Sequence, residues 1–303
     1  MINTGINDNN SLHTKLLDIR ENNAIIKEVK FTTSLINPLF DFKYFDQAFQ
    51  DVEKLFQGYY PGFKRCNTNY HDLRHTMLVL LAISRLIHGA FLGGIKFTDK
   101  EINLGLISAL MHDTGYIQAN DDNAGTGAKY TLIHIKRSIM FAQDYYADEE
   151  YFQEDLENFS DILNCTGLNI DIKKITFSSV SMEIMGKMLG TADLLGQMAD
   201  RLYLEKLIPL FHEFEEGRVP GFESELDLLK KTTNFYKSAQ SRFENDLSNV
   251  NHYMVGHFQD RWNIGKNIYN ESIEKNINYL KYILKSNHKN LHDCLRRNTI
   301  TLQ

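Results

Sequence analysis

Cysteine is scarce in this 303-residue chain: Cys66, Cys165 and Cys294 leave an odd count and show no CxxC spacing. That excludes a disulfide framework and fits a reducing compartment. Proline is nearly as rare, with four residues in all, which favours long helices over a loop-rich fold. A basic stripe is missing too, and the net charge is −6, so nucleic acid is not the expected partner. A small anionic substrate is compatible with that charge if metal cations supply positive charge locally. The opening MINTGINDNNSLHTK lacks the basic-then-apolar pattern of a secretory signal. The most apolar stretch, 76–95, is interrupted by Arg85 and His88, which argues for a buried core helix and against a membrane span. A cytoplasmic protein with no membrane partner is the expectation.

What is present is ordinary globular material, 43% hydrophobic and 12% aromatic, in a length that allows a sizeable core. Residues 1–40 read as a polar tail followed by helical padding, and 41–303 as a single all-α domain. Within that frame 13–57 reads as helical pieces broken at Pro38, and 59–69 as a loop. Leu78, Leu81, Ala82 and Leu86 are spaced for a helix over 70–88, with Gly89, Gly93 and Gly94 to end it. Thr98 and Glu101 form a capping-box pair opening a helix that reaches Asp113, with Gly115 placed to stop it. DDNAGTGAK (121–129) lacks the GK[ST] ending of a phosphate-cradling loop. Further helices are expected over 130–146, 150–164, 180–215, 222–250 and 258–286. The last carries an apolar stripe, Ile264, Ile268, Ile273, Ile277, Leu280 and Leu284, that reads as core.

The residues that carry chemistry are histidines and acids in apolar settings. His71 and His75 stand four apart in NYHDLRHT, so on one helix they share a face. His112 and Asp113 follow an apolar run at a helix C-terminus, whose partial negative charge favours a cation. Asp193 is a lone acid in GTADLLGQMA. Imidazole and carboxylate donors suit Zn, Mn, Fe or Mg.

The order His75, His112–Asp113, Asp193 resembles the H…HD…D signature of the HD-domain metal-dependent phosphohydrolases. Locally the text is similar to the catalytic domain of class I cyclic-nucleotide phosphodiesterases. YHDLRHT resembles that family's YHNxxHA, ALMHDTGY its AAxxHDxxHPG, TADLLGQ its ADLS segment, and EFEEG its EFxxQG stretch. The likeness spans roughly residues 59–245. It implies a compact all-α fold and a pair of divalent metal ions held by His75, His112, Asp113 and Asp193, with Asp113 bridging. A hydroxide between the metals would attack phosphorus, and His71 would protonate the leaving oxygen as general acid. The implied substrate is a small phosphorylated, nucleotide-like molecule.

Two positions depart from the pattern. Tyr116 stands where the family has a second histidine, and Asp72 where it has asparagine, so the second metal's shell is in question. His134, in TLIHIKRS, is a candidate ligand for that second site. Gln240 and Phe243 match the QxxF spacing with which the phosphodiesterases grip a purine. Lys129 and Arg137 read as solvated surface charges, with phosphate oxygens as the alternative partner. Three alternatives stay open: nucleotide phosphomonoester hydrolysis, a di-iron oxygenase on the HD fold, and a binding module with a vestigial metal site. Homo-oligomer formation is also left open.

Overall fold

The computed structural model describes residues 21–285 together with Cys294 and Leu295. Among these residues the chain is all-α, with 11 α-helices and no strand. One isolated antiparallel bridge, Phe63 to Ala119, ties two loops together. The helices run α1 (Asn22–Ile36), α2 (Lys43–Gln57), α3 (Leu73–Leu92), α4 (Asp99–Met111), α5 (His134–Tyr145) and α6 (Leu156–Asn164). They continue as α7 (Val180–Ala199), α8 (Tyr203–Glu216), α9 (Glu225–Asn245), α10 (Tyr253–Trp262) and α11 (Ile268–Lys285).

Helix α3 is the axle. It is long and apolar enough to cross a membrane by composition, yet 89% of that window is buried inside the protein. Every residue from His75 to Ala90 is buried, the behaviour of a helix that is apolar all round. Helices α1, α4, α7 and α10 pack around it. Ile25, Ile26 and Val29 of α1, within the stretch expected as helical padding, sit in the same core as α3. The polar tail, residues 1–20, lies outside the described residues.

Several boundaries differ from the sequence expectation for identifiable reasons. Helix α3 begins at Leu73 because Asp72 caps it, its carboxylate accepting the His75 backbone N–H at 2.9 Å. Gly89 does not end α3. A Cβ there would lie 1.9 Å from the Tyr253 carbonyl oxygen, so glycine at 89 is what lets α10 lie directly on α3. The capping box of Thr98 and Glu101 forms as expected, but α4 stops at Met111, ahead of Gly115.

The segment expected as one helix over 180–215 breaks at Asp200, whose backbone turns extended (ψ 136). Its carboxylate pairs with Arg74 at 2.9 Å and accepts the Leu202 N–H at 3.2 Å. The expected 258–286 helix is two, because Asn263 adopts the left-handed conformation (φ 55) that closes α10.

Gly89→Ala tests the α3–α10 contact through its sign. An exposed helical glycine would gain about 1 kcal/mol from alanine. Here the added methyl meets a backbone carbonyl, and urea unfolding should show a loss of about 1–3 kcal/mol. A stabilised variant would contradict the close approach.

Candidate metal centre

Four segments deliver the candidate ligands. Helix α3 presents His75 from its first turn. The end of α4 delivers His112 as its C-cap, and Asp113 opens the 3-10 turn Thr114–Tyr116. Helix α7 supplies Asp193 from mid-helix, and α5 begins with His134. That last approach depends on Gly115, where a Cβ would lie 1.9 Å from the His134 carbonyl oxygen. Ser138 of α5 fixes the same turn, donating to the His112 carbonyl at 2.6 Å and accepting the Gly115 N–H at 2.9 Å.

His75, His112 and Asp193 each place a donor atom within 4.8 Å of the others. His75 Nε2 is 3.3 Å from His112 Nε2 and 3.2 Å from Asp193 Oδ1. Asp113 Oδ2 lies 3.4 Å from His75 Nε2 and 3.2 Å from His112 Nε2. Donors bound at about 2.0–2.2 Å to one ion stand roughly 2.8–3.6 Å apart at tetrahedral or octahedral angles. These four distances fit that range, and the 4.0 Å from His112 Nε2 to Asp193 Oδ1 fits a wider angle.

Proton positions point the same way. His112 Nδ1 donates to the Ala109 carbonyl at 2.9 Å, so Nε2 is the ring nitrogen turned toward His75 and the acids. His134 Nδ1 donates to the Thr131 carbonyl at 2.6 Å, leaving its own Nε2 free 3.9 Å from Asp113 Oδ1. Backbone support of this kind is how proteins orient ligating imidazoles. Asp113 thus faces His75 and His112 with one oxygen and His134 with the other. Its Oδ2 is buried and makes no hydrogen bond. With imidazole nitrogens at 3.2–3.4 Å but no hydrogen bond, that oxygen is under-satisfied, and a cation would complete it.

The electrostatics agree. Burial opposes ionisation of Asp113, yet the imidazoles of His112, His71 and His75 hold its carboxyl well below the usual carboxylate range. Burial likewise opposes protonation of His112, but the adjacent Asp113 and Asp193 lift it to about 9. The cluster draws positive charge to itself. Burial lowers the pKa of His134, favouring the neutral form that ligates.

His71 is beside the cluster. The sequence reading put it on the same helix as His75; it lies instead just ahead of the α3 cap, its ring centroid 6.1 Å from that of His75. Its Nδ1 donates to Glu213 Oε2 of α8 at 2.6 Å, and Glu213 Oε1 accepts the Tyr70 N–H at 2.6 Å. Glu213 is the residue of the candidate site that sequence reasoning missed. Its only signal was the EFEEG text, which gave a segment without a role. Burial lowers the His71 pKa, but the Glu213 hydrogen bond and the Asp113 charge outweigh it, and the net shift is upward. Tyr116 stacks on both His71 and His134, at 4.2 and 4.6 Å between centroids, with its hydroxyl 3.4 Å from His71 Nε2.

The other residues singled out from the sequence are engaged elsewhere. Asp72 acts as helix cap and ion-pairs Lys206 at 2.9 Å. Gln240 and Phe243 do not reach the cluster: Phe243 is buried in the core, and exposed Gln240 donates to the Tyr236 hydroxyl at 2.8 Å. Both line a separate cavity of about 140 Å³ between α9 and α11. Lys129 is occupied by Asp122 and the Ala124 carbonyl. Arg137 donates to the carbonyls of Gly115 at 2.7 Å and Ile117 at 2.9 Å.

A family model described as Npun_R2479-like matches residues 62–274, more than two thirds of the chain. The chain belongs to the Npun_R2479-like family. The match encloses every residue of the cluster and begins after α1 and α2. No curated protein matches the chain.

For this Npun_R2479-like protein, His75→Ala, His112→Ala, Asp113→Ala and Asp193→Ala should each weaken divalent-metal binding by more than about 100-fold, beyond the cost of losing a supporting partner. Elemental analysis after dialysis checks this, and full metal content in Asp193→Ala would contradict the assignment. His134→Ala should lose roughly one equivalent and keep the other.

Proposed function

We propose that this Npun_R2479-like protein is a metal-dependent phosphohydrolase acting on a small, nucleotide-like phosphoester. The observation that carries the reading is the buried Asp113 carboxylate, facing His75 and His112 with an oxygen that makes no hydrogen bond, and His134 with the other. His75, His112, Asp113 and Asp193 would hold one divalent ion, and Asp113 with His134 would contribute to a second. Bound there, Mg, Mn, Zn or Fe supplies Lewis acidity, lowering the pKa of water and polarising a phosphoryl oxygen.

The chain's own residues account for the proton on the leaving group. Glu213 takes the Nδ1 hydrogen of His71, which fixes the ring and directs Nε2 away from α8. Tyr116 supports that ring by stacking and keeps water from one of its faces. A histidine so oriented, outside the ligand set yet adjacent to it, is placed to act as general acid. The approach is open on this side: the Asp193 and His134 side chains retain 16% and 21% exposure. The resemblance to cyclic-nucleotide phosphodiesterases favours a diester substrate. Because the Gln240–Phe243 pair lies elsewhere, recognition of a base rests on other residues.

The experiment compares two substrates. His71→Ala should retain the metal content of the native protein and lose about 10²–10⁴-fold in kcat on an alkyl phosphoester. On a nitrophenyl ester, whose leaving group needs no proton, the loss should shrink. Glu213→Gln should follow the same pattern with a smaller loss. Equal losses on both substrates would remove His71 from the acid role, and lost metal would make it a ligand. Two irons with oxygen consumption would instead favour the oxygenase alternative.

A further inference from the structure

A cavity of about 360 Å³ lies beside the turn that carries Asp113, between Thr114 and Gly115 of that turn, α5 and the loop that carries Tyr60 and Phe63. Its size is within the range of small-molecule sites, about 300–1,000 Å³, and no residue of the metal cluster lines it. Four half-buried rings form its walls. Tyr60, Phe63 and Phe141 meet one another edge-on or tilted, with centroids 5.7–6.0 Å apart. Tyr145 extends the cluster, 6.1 Å from Phe141, and its hydroxyl is anchored on Asp51 at 2.8 Å. Edge-on packing of this kind suits the addition of one more ring.

The charged lining is one cation and one anion. Arg137 spends Nε and Nη2 on the carbonyls of Gly115 and Ile117, which leaves Nη1 outside both bonds. Asp144 is exposed and makes no side-chain hydrogen bond or ion pair among the described residues. A charged ligand would gain from one of these groups and lose to the other. A neutral ring with an acceptor and a donor along its edge satisfies both. Met140, 53% exposed, stands at the lip.

We infer that this cavity is a binding site for a neutral, planar, purine-like heterocycle, stacked among the aromatic walls and held at its edge by Arg137 and Asp144. The site is separate from the metal centre and does not depend on the chemistry proposed there. It is mechanically joined to that centre, because Arg137 grips the carbonyls on both sides of Tyr116 and α5 opens with His134.

The test is fluorescence titration with 2-aminopurine, whose emission is quenched by stacking. The native protein should quench it saturably, at one site per chain and with a Kd below about 1 mM. Asp144→Ala, an exposed change that leaves the core alone, should weaken binding about tenfold or more. Met140→Trp should block the cavity and abolish it. No saturable quenching at millimolar probe would overturn the inference. So would binding indifferent to both Asp144→Ala and Met140→Trp.

Discussion

The Asp113 carboxylate is buried, ionised and short of hydrogen bonds, and much of the surrounding architecture makes sense as a response to it. Two imidazoles face one of its oxygens and a third faces the other. Each of the two outermost imidazoles is oriented by a backbone carbonyl that takes its Nδ1 hydrogen. A bare carboxylate in such a place costs free energy that only a proton or a cation recovers. The packing that creates the cost is specific: Gly115 admits α5 against the turn, and Ser138 bonds that turn from both directions.

Around this centre a second network sets the geometry of His71. Glu213 on α8 holds both the Tyr70 backbone and the His71 ring. Tyr70 in turn donates its hydroxyl to Gln197 at 2.7 Å, one helical turn beyond Asp193. Helices α7 and α8 are therefore linked through the residues just ahead of α3. The break at Asp200 is what allows α8 to turn back and present Glu213, so a kink that interrupts one apolar helix serves the site directly.

Much of this was legible in the sequence. The all-α class followed from helical periodicity and few prolines, and the buried character of α3 from its apolar run. His75, His112 and Asp193 were visible as polar residues in apolar text, and the structure gathers them. What was not legible depended on distance in space. Gly89 and Gly115 read as helix terminators because their carbonyl neighbours, Tyr253 and His134, lie on other elements. Asp200 read as helix interior because its partner Arg74 is on α3. Glu213 was one acid in the EFEEG run, and nothing local marks which of the three turns inward. Gln240 and Phe243 failed for the converse reason: a spacing of three fits one helix face, but the face is set by packing against α11.

The central claim is that histidine and aspartate, and no sulfur, gather a divalent ion at this turn. X-ray absorption at the metal edge of the Zn- or Mn-loaded protein tests it most directly. The account predicts a first shell of nitrogen and oxygen alone at about 2.0–2.2 Å, with the outer-shell scattering of at least two imidazoles per tightly bound ion. A sulfur shell at about 2.3 Å, or a spectrum without imidazole scattering, would contradict it.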